Sequence, residues 1–62
     1  MPISGKEMVK KYLKAGWILV RVSGSHHQME KNGRTIPIPV HGNNSLGKGL
    51  EQKLLKALQE DN

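Results

Sequence analysis

Cysteine is absent from the 62 residues, so the chain can form neither a disulfide framework nor a thiolate metal site. That composition is typical of a reducing compartment. Long apolar runs are absent too: the longest, Trp17 to Val20, is far too short to span a bilayer. The opening residues, "MPISGKEM", lack the apolar segment of a secretory signal. We therefore expect a soluble, cytoplasmic protein.

Acidic residues are scarce, with five Asp and Glu against ten Lys and Arg, and the formal charge is +5. A positive field of this density attracts polyanions such as nucleic acid, although an acidic protein partner would satisfy it as well. We expect residues 1–62 to form a single domain. A chain of this length buries only about 60% of the surface that its unfolded form exposes. Any site must therefore be shallow and lie on an open face.

Two amphipathic segments predict helices. Ser4 and Glu7 form a capping-box pattern, which predicts that the first helix begins there, and Gly16 predicts its end. One face of this helix repeats the apolar residues Met8, Val9, Tyr12 and Leu13. The opposite side carries lysines at positions 6, 10 and 14, a pattern that is usually a solvated face. The second helix is predicted by Leu50, Leu54, Ala57 and Leu58, with Lys53 and Lys56 opposite.

Three short strands are predicted between the helices. Residues 17–22, "WILVRV", form the first and residues 26–31 the second, and Asn32-Gly33 predicts a type I′ turn into the third, "RTIPIPV". Pro37 and Pro39 share one side of the third strand and lack N–H groups, which places this strand at the sheet edge. The α-β-β-β-α order predicts an α+β fold, in which two helices cover one face of a three-stranded antiparallel sheet.

Side-chain alternation then assigns the faces of the sheet. The aliphatic side of each outer strand is expected to meet the helices, namely Ile18, Val20 and Val22 in the first strand and Ile36, Ile38 and Val40 in the third. Trp17, Leu19 and Arg21 would then point outward. Trp17 and Leu19 could there stack on a base, or support a loop or a protein partner.

Neighbouring histidines on the second strand must point to opposite faces. If Met29 joins the core, His27 shares its side, and His26, Gln28 and Glu30 point to the open face. A bulge at Gly24 would shift the register and exchange the two histidines. Extending the third strand by one residue places His41 on the open face as well.

Two imidazoles on a basic surface form an acid/base arrangement, because an unperturbed histidine has a pKa of about 6.5. The plain alternative is that an exposed histidine is only a polar surface residue. We expect no metal site, because adjacent histidines on a strand diverge and neither Cys nor a nearby carboxylate completes a ligand set. No cofactor is expected.

The segment "GSHHQ", a strand that closes with "PVH", a first helix followed by "GW" and a leucine-patterned second helix occur in this order. The chain resembles the HicA family of toxins from HicBA toxin–antitoxin systems over nearly its whole length. The resemblance implies a fold like that of double-stranded-RNA-binding domains. It also implies a metal-independent mRNA interferase, an endoribonuclease that the antitoxin HicB neutralises by covering the active surface.

The resemblance also implies site residues. The family's catalytic histidine lies two residues after the motif glycine Gly24, which is His26 here, the residue that alternation also places on the open face. Gly24 would let the backbone approach the phosphate, or adopt a conformation closed to other residues. His41 could be a second proton carrier or a phosphate contact, or could only order its loop. Contacts to RNA are expected from Arg21, Ser25, Gln28, His41, Lys10 and Lys48.

The second helix departs from the family pattern. Family members commonly read Leu-Pro-x-Gly-Thr into this helix and end in a Lys-x-Ala-Gly-Leu-like tail. Gly49 keeps the motif glycine, but Leu50 replaces the threonine that would cap the helix or bind an anion. Two other functions fit the same basic surface: a non-catalytic module that grips structured RNA, and a protein that acts only through an acidic partner.

Overall fold

The computed structural model describes residues 3–42 and 44–60. It contains, in chain order, α1 (Gly5–Lys14), β1 (Ile18–Ser23), β2 (His26–Lys31), β3 (Arg34–Pro39) and α2 (Lys48–Glu60). The predicted α-β-β-β-α order and antiparallel sheet are confirmed. Asn43 of the predicted loop and both ends of the predicted 1–62 domain lie outside the described residues. None of the helices described is long and apolar enough to cross a membrane.

Helix α1 begins at the predicted capping box. The Glu7 N–H donates to Ser4 Oγ at 3.3 Å, and the Ser4 N–H donates to Glu7 Oε1 at 3.4 Å. These bonds satisfy two backbone donors that the first helical turn leaves free. Gly5 is buried, and a Cβ atom built on it would overlap the Pro39 carbonyl oxygen at the end of β3. Glycine therefore allows the start of α1 to lie directly against the end of β3.

Helix α1 ends in a Schellman motif around Gly16, whose φ is +95°. The Gly16 N–H donates to the Leu13 carbonyl at 3.1 Å, and the Trp17 N–H donates to the Tyr12 carbonyl at 3.0 Å. The Tyr12 and Trp17 rings then meet edge to face, with centroids 4.9 Å apart. Trp17 is only 2% exposed. The expectation that Trp17 points outward is wrong, because the motif turns the residue after Gly16 back onto α1.

The core lies between the helices and one face of the sheet. Its buried side chains are Met8, Tyr12, Trp17, Met29, Ile38 and Leu54. Partly buried side chains pack against them, among them Ile36, Leu50 and Leu58, as the apolar patterns of β3 and α2 predict. Leu13 was expected in this core but is 48% exposed, because Met8 and Tyr12 form the centre of the buried face of α1.

The strand order is β1-β2-β3, which confirms that β3 with its two prolines is an edge strand. The turn between β2 and β3 has positive φ at both central residues, 51° at Asn32 and 80° at Gly33. That geometry is a type I′ turn, as the Asn-Gly pair predicts.

The predicted faces are wrong for residues 18–20 of β1 because the strand contains a bulge, whereas Arg21 and Val22, which follow the bulge, lie on the faces predicted for them. Leu19 lies opposite Met29 and Arg21 lies opposite Gln28, so Val20 is an extra residue in the ladder. Leu19 therefore lies on the helix side, whereas alternation had predicted that it points outward. All six residues of β1 are exposed, and the aliphatic ones between 43% and 56%. The buried strand residues come instead from β2 and β3, and β1 forms the second edge of the sheet.

Candidate active site on the open face of the sheet

The face of the sheet opposite the helices carries polar side chains. Met29 is fully buried beneath the helices, so alternation directs its β2 neighbours on either side to the open face. His26 is the first residue of β2 and is exposed. The structure therefore places His26 on the uncovered face, as alternation predicts, at the end where β2 begins.

A two-residue turn, Gly24-Ser25, positions His26. Ser23 and His26 pair across this turn, and Gly24 has a φ of +59°. A glycine with positive φ at the first central position is typical of a type II′ turn. A Cβ atom on Gly24 would meet nothing within 4 Å, so the backbone conformation, and not crowding, favours glycine here. The bulge lies at Val20 instead of Gly24, and the two histidines are not exchanged.

The end of β3 fixes the same turn from the other side. The Val40 N–H donates to the Ser25 carbonyl at 2.7 Å, and His26 lies opposite Pro39. Because hydrogen-bonded and non-hydrogen-bonded pairs alternate, His26 and Pro39 form a non-hydrogen-bonded pair, in which side chains approach most closely. His26 is thus held between Ser23 and Pro39 on a surface that is open above it.

His41 follows β3 without extending it. The strand ends at Pro39, and the His41 carbonyl accepts a hydrogen bond of 3.0 Å from the Asn44 N–H, which closes a turn. The expected extension of the third strand to His41 is therefore wrong. His41 is exposed and lies in the loop that leaves the same end of the sheet at which His26 begins β2.

Of the other residues expected to contact RNA, two share the face of His26. Arg21 and Gln28 lie opposite each other in β1 and β2. Gln28 follows His26 by two residues on β2, so all three side chains lie on the same face. Ser25 lies in the turn itself. Lys10 and Lys48 are exposed but belong to α1 and α2, on the covered side of the sheet. The sheet register does not bring these two lysines to His26.

Two hydrogen bonds hold the start of α2, where Lys48 lies, near the start of α1. The Leu46 N–H donates to the Ile3 carbonyl at 2.9 Å, and the Ile3 N–H donates to Glu51 Oε1 at 2.9 Å. Because α1 begins against the end of β3, the beginnings of both helices lie at the same end of the molecule as His26 and His41.

A family model described as the HicA toxin of bacterial toxin–antitoxin matches residues 5–59. The chain belongs to the HicA toxin family. It is therefore the toxin of a toxin–antitoxin pair, and its partner is an antitoxin. The matched residues include the whole sheet and both turns beside His26. No curated protein matches the chain significantly.

The second histidine of this HicA-family chain lies on the other face. His27 pairs with Val22 and with Ile38, which is fully buried, and it is itself half-buried. Its Nδ1 atom is buried without a hydrogen-bond partner among the described residues. A substrate on the open face would meet His26 and not His27.

Two cations at the far end of the sheet are engaged in the fold. The Lys31 Nζ donates to the Ala15 carbonyl at 2.7 Å, where the C-terminal end of α1 favours positive charge. The Arg34 guanidinium lies 5.9 Å from the centroid of the Trp17 ring. These contacts stabilise the fold. Within the strands that the structure describes, Arg21 is the cation on the face of His26. Within residues 3–42 and 44–60, no three His, Asp or Glu side chains are grouped so that they could hold a metal ion.

Sequence reasoning missed part of the open face. A shallow depression there is lined by Val20, Arg21, Ser23, Gln28 and Thr35. Thr35 lies on β3 opposite Glu30, and alternation alone could have found it. Val20 reaches this depression only because of the bulge, for which the uniformly aliphatic start of β1 carries no signal.

Proposed function

We propose that this chain is a metal-independent mRNA interferase, an endoribonuclease that uses His26 as its general acid/base. The observation that supports this proposal best is the position of His26, which is exposed on the uncovered face and held by the Gly24-Ser25 turn. An RNA strand can reach the imidazole from above, because no element covers this face in the described part of the chain.

The proposed reaction is transfer of the phosphoryl group to the neighbouring 2′-oxygen. His26 takes the proton from the ribose 2′-hydroxyl, and O2′ attacks the adjacent phosphorus. The bond from phosphorus to O5′ breaks, and the leaving O5′ receives a proton from His41 or from water. The products are a 2′,3′-cyclic phosphate and a 5′-hydroxyl end. A positioned imidazole contributes typically 10²- to 10⁴-fold to such proton transfers.

Cationic side chains support the phosphate during this reaction. Arg21 lies on the same face as His26, and its permanent charge stabilises the charge that develops on the phosphate oxygens. His41, at the same end of the molecule, is the second proton carrier or a phosphate contact. Ser25 and Gln28 add contacts along the strand, whereas Lys10 and Lys48, on the helix side, would contact only RNA that extends beyond the open face. The shallow site suits a long substrate, which supplies much of the contact surface itself.

Gly24 acts through backbone conformation. Its positive φ allows the tight turn that places His26 at the very start of β2, and the empty space beside it leaves room for a ribose phosphate.

The partner in this proposal is a HicB antitoxin that covers the open face. The formal charge of +5 favours an acidic inhibitor over a basic or neutral one, since opposite charges speed association and oppose binding to wrong partners. An inhibitor seated over His26 and Arg21 would exclude RNA from both.

The test is cleavage of RNA by the purified chain and by its His26→Ala variant, in the presence of a metal chelator. The wild-type chain should cut mRNA and leave 5′-hydroxyl ends, whereas His26→Ala should bind RNA but cut at least 100-fold more slowly. His27→Ala is the matched control and should still cleave. Unimpaired cleavage by His26→Ala would refute the mechanism, and RNA left intact by the wild-type chain would refute the function.

A further inference from the structure

The depression on the open face next to His26 is lined by side chains that the proposed proton transfers do not use. Gln28 lies two residues from His26 on the same strand and face, which separates them by roughly 6.6 Å along β2. This is about the distance between successive nucleotides of an extended single strand. An RNA strand that runs along β2 with a ribose phosphate at His26 would therefore place the base of a neighbouring nucleotide over Gln28.

The bulge in β1 gives this depression an apolar wall. In a regular strand, Val20 and Arg21 would point to opposite faces, yet both line the depression. The bulge at Val20 accounts for this, because an extra residue re-aims its side chain. The exposed Val20 side chain offers a surface against which the flat face of a base can pack.

Hydrogen-bonding groups lie beside this apolar wall. Gln28 offers two donors and an acceptor in one plane, and the Ser23 and Thr35 hydroxyls can donate or accept. A phosphate has only acceptors, so the Gln28 carbonyl would be left facing an anion without a bond. A nucleobase edge presents donors and acceptors together, and these side chains offer both as well.

We propose that this depression is a nucleobase subsite that takes a purine from a nucleotide next to the cleaved phosphate. This inference rests on the proposed function and adds a basis for sequence preference. A planar amide pairs in two-fold fashion with the amino group and ring nitrogen of adenine, and the guanidinium of Arg21 can pair likewise with guanine. Single-stranded RNA exposes these base edges for such readout.

The test is the pattern of cut sites in a pool of RNA with randomised sequence. The wild-type chain should favour a purine at one position flanking the cut, and Gln28→Ala should reduce that preference roughly tenfold. Cleavage by this variant should be slower, because Gln28 also contributes to RNA binding, but should not be abolished. Gln28→Glu removes the donors and keeps an acceptor, so the preferred base should change. Gln52→Ala is the matched control, since Gln52 is an exposed glutamine on α2, and it should leave the pattern unchanged.

A second measurement keeps the two proposals separate. The His26→Ala chain, with and without Gln28→Ala, is titrated at fixed salt with oligoadenylate and oligouridylate of equal length. Tighter binding of oligoadenylate that Gln28→Ala removes would support the subsite even if no RNA were cleaved. Cleavage with a pattern that neither Gln28 variant alters would overturn the subsite and leave the proposed nuclease standing.

Discussion

The hydroxyl of Tyr12 donates a hydrogen bond of 2.8 Å to the backbone carbonyl of Leu54, and both residues are buried. This bond joins α1 to α2. Tyr12→Phe should lower the free energy of unfolding by about 1 kcal/mol, because it removes the bond and leaves a buried carbonyl without this donor. Urea denaturation should show a lower midpoint with an unchanged slope. An unchanged midpoint would mean that water replaces the hydroxyl without loss.

Alkaline pH should weaken the contribution of the same tyrosine. Burial raises the pKa of Tyr12 above its ordinary value of 10.0, and the positive charge of Arg34 offsets part of this shift. The unfolded chain then loses the phenolic proton first, so the contribution is complete below about pH 10 and is lost as the pH rises through the pKa of the folded state. The difference in unfolding free energy between the wild-type chain and Tyr12→Phe should shrink over this range. Lysines titrate in both proteins, so their effect cancels in the comparison.

Two glycines with equal space around them should respond oppositely to alanine. A Cβ atom at Gly24 or at Gly49 would meet nothing within 4 Å, but Gly24 has a φ of +59° and Gly49 lies in α2. Gly24→Ala should destabilise the chain by about 1 to 2 kcal/mol through backbone strain. Gly49→Ala should raise stability by up to about 1 kcal/mol, since alanine favours the helix. Thermal unfolding followed by circular dichroism checks both signs, and equal effects would show that the turn at Gly24 adapts.

Alanine substitutions of the two histidines should have different effects on stability. His27 is half-buried on the helix side, and His27→Ala should cost about 1 kcal/mol of unfolding free energy because it removes packing beside Ile38. His26→Ala removes an exposed side chain and should change stability by less than about 0.5 kcal/mol. Denaturation of the two variants in parallel measures this. The reverse order of stability losses would place the wrong histidine on the open face.

Local signals in the sequence were enough for much of the fold. The capping box at Ser4 and Glu7, the Asn32-Gly33 turn and the glycine at the end of α1 each depend on a few neighbouring residues. The edge position of β3 follows from the missing N–H groups of its prolines. The face of His26 was predictable because Met29 is the one apolar residue in β2, so a single side chain fixes the alternation.

Strand β1 could not be predicted in the same way. Its aliphatic residues are nearly continuous, so alternation carries little information, and the bulge at Val20 shifts the faces without a glycine or proline to mark it. Trp17 was placed outward by that alternation, whereas the Schellman motif at Gly16 decides its direction. The depression that we propose as a base subsite depends on the bulge. Its Val20 wall could therefore not be predicted from the sequence.

The bulge at Val20 also affects the tendency of the chain to self-associate through its edge strand. Strand β1 is a free edge with four half-exposed aliphatic side chains, a combination that invites fibril-like stacking. An extra residue in the middle of the strand interrupts the even row of backbone donors and acceptors that an incoming strand would need. Deletion of Val20 would restore a regular edge and should therefore increase self-association of the isolated chain, so the bulge that shapes the open face is expected to limit aggregation as well.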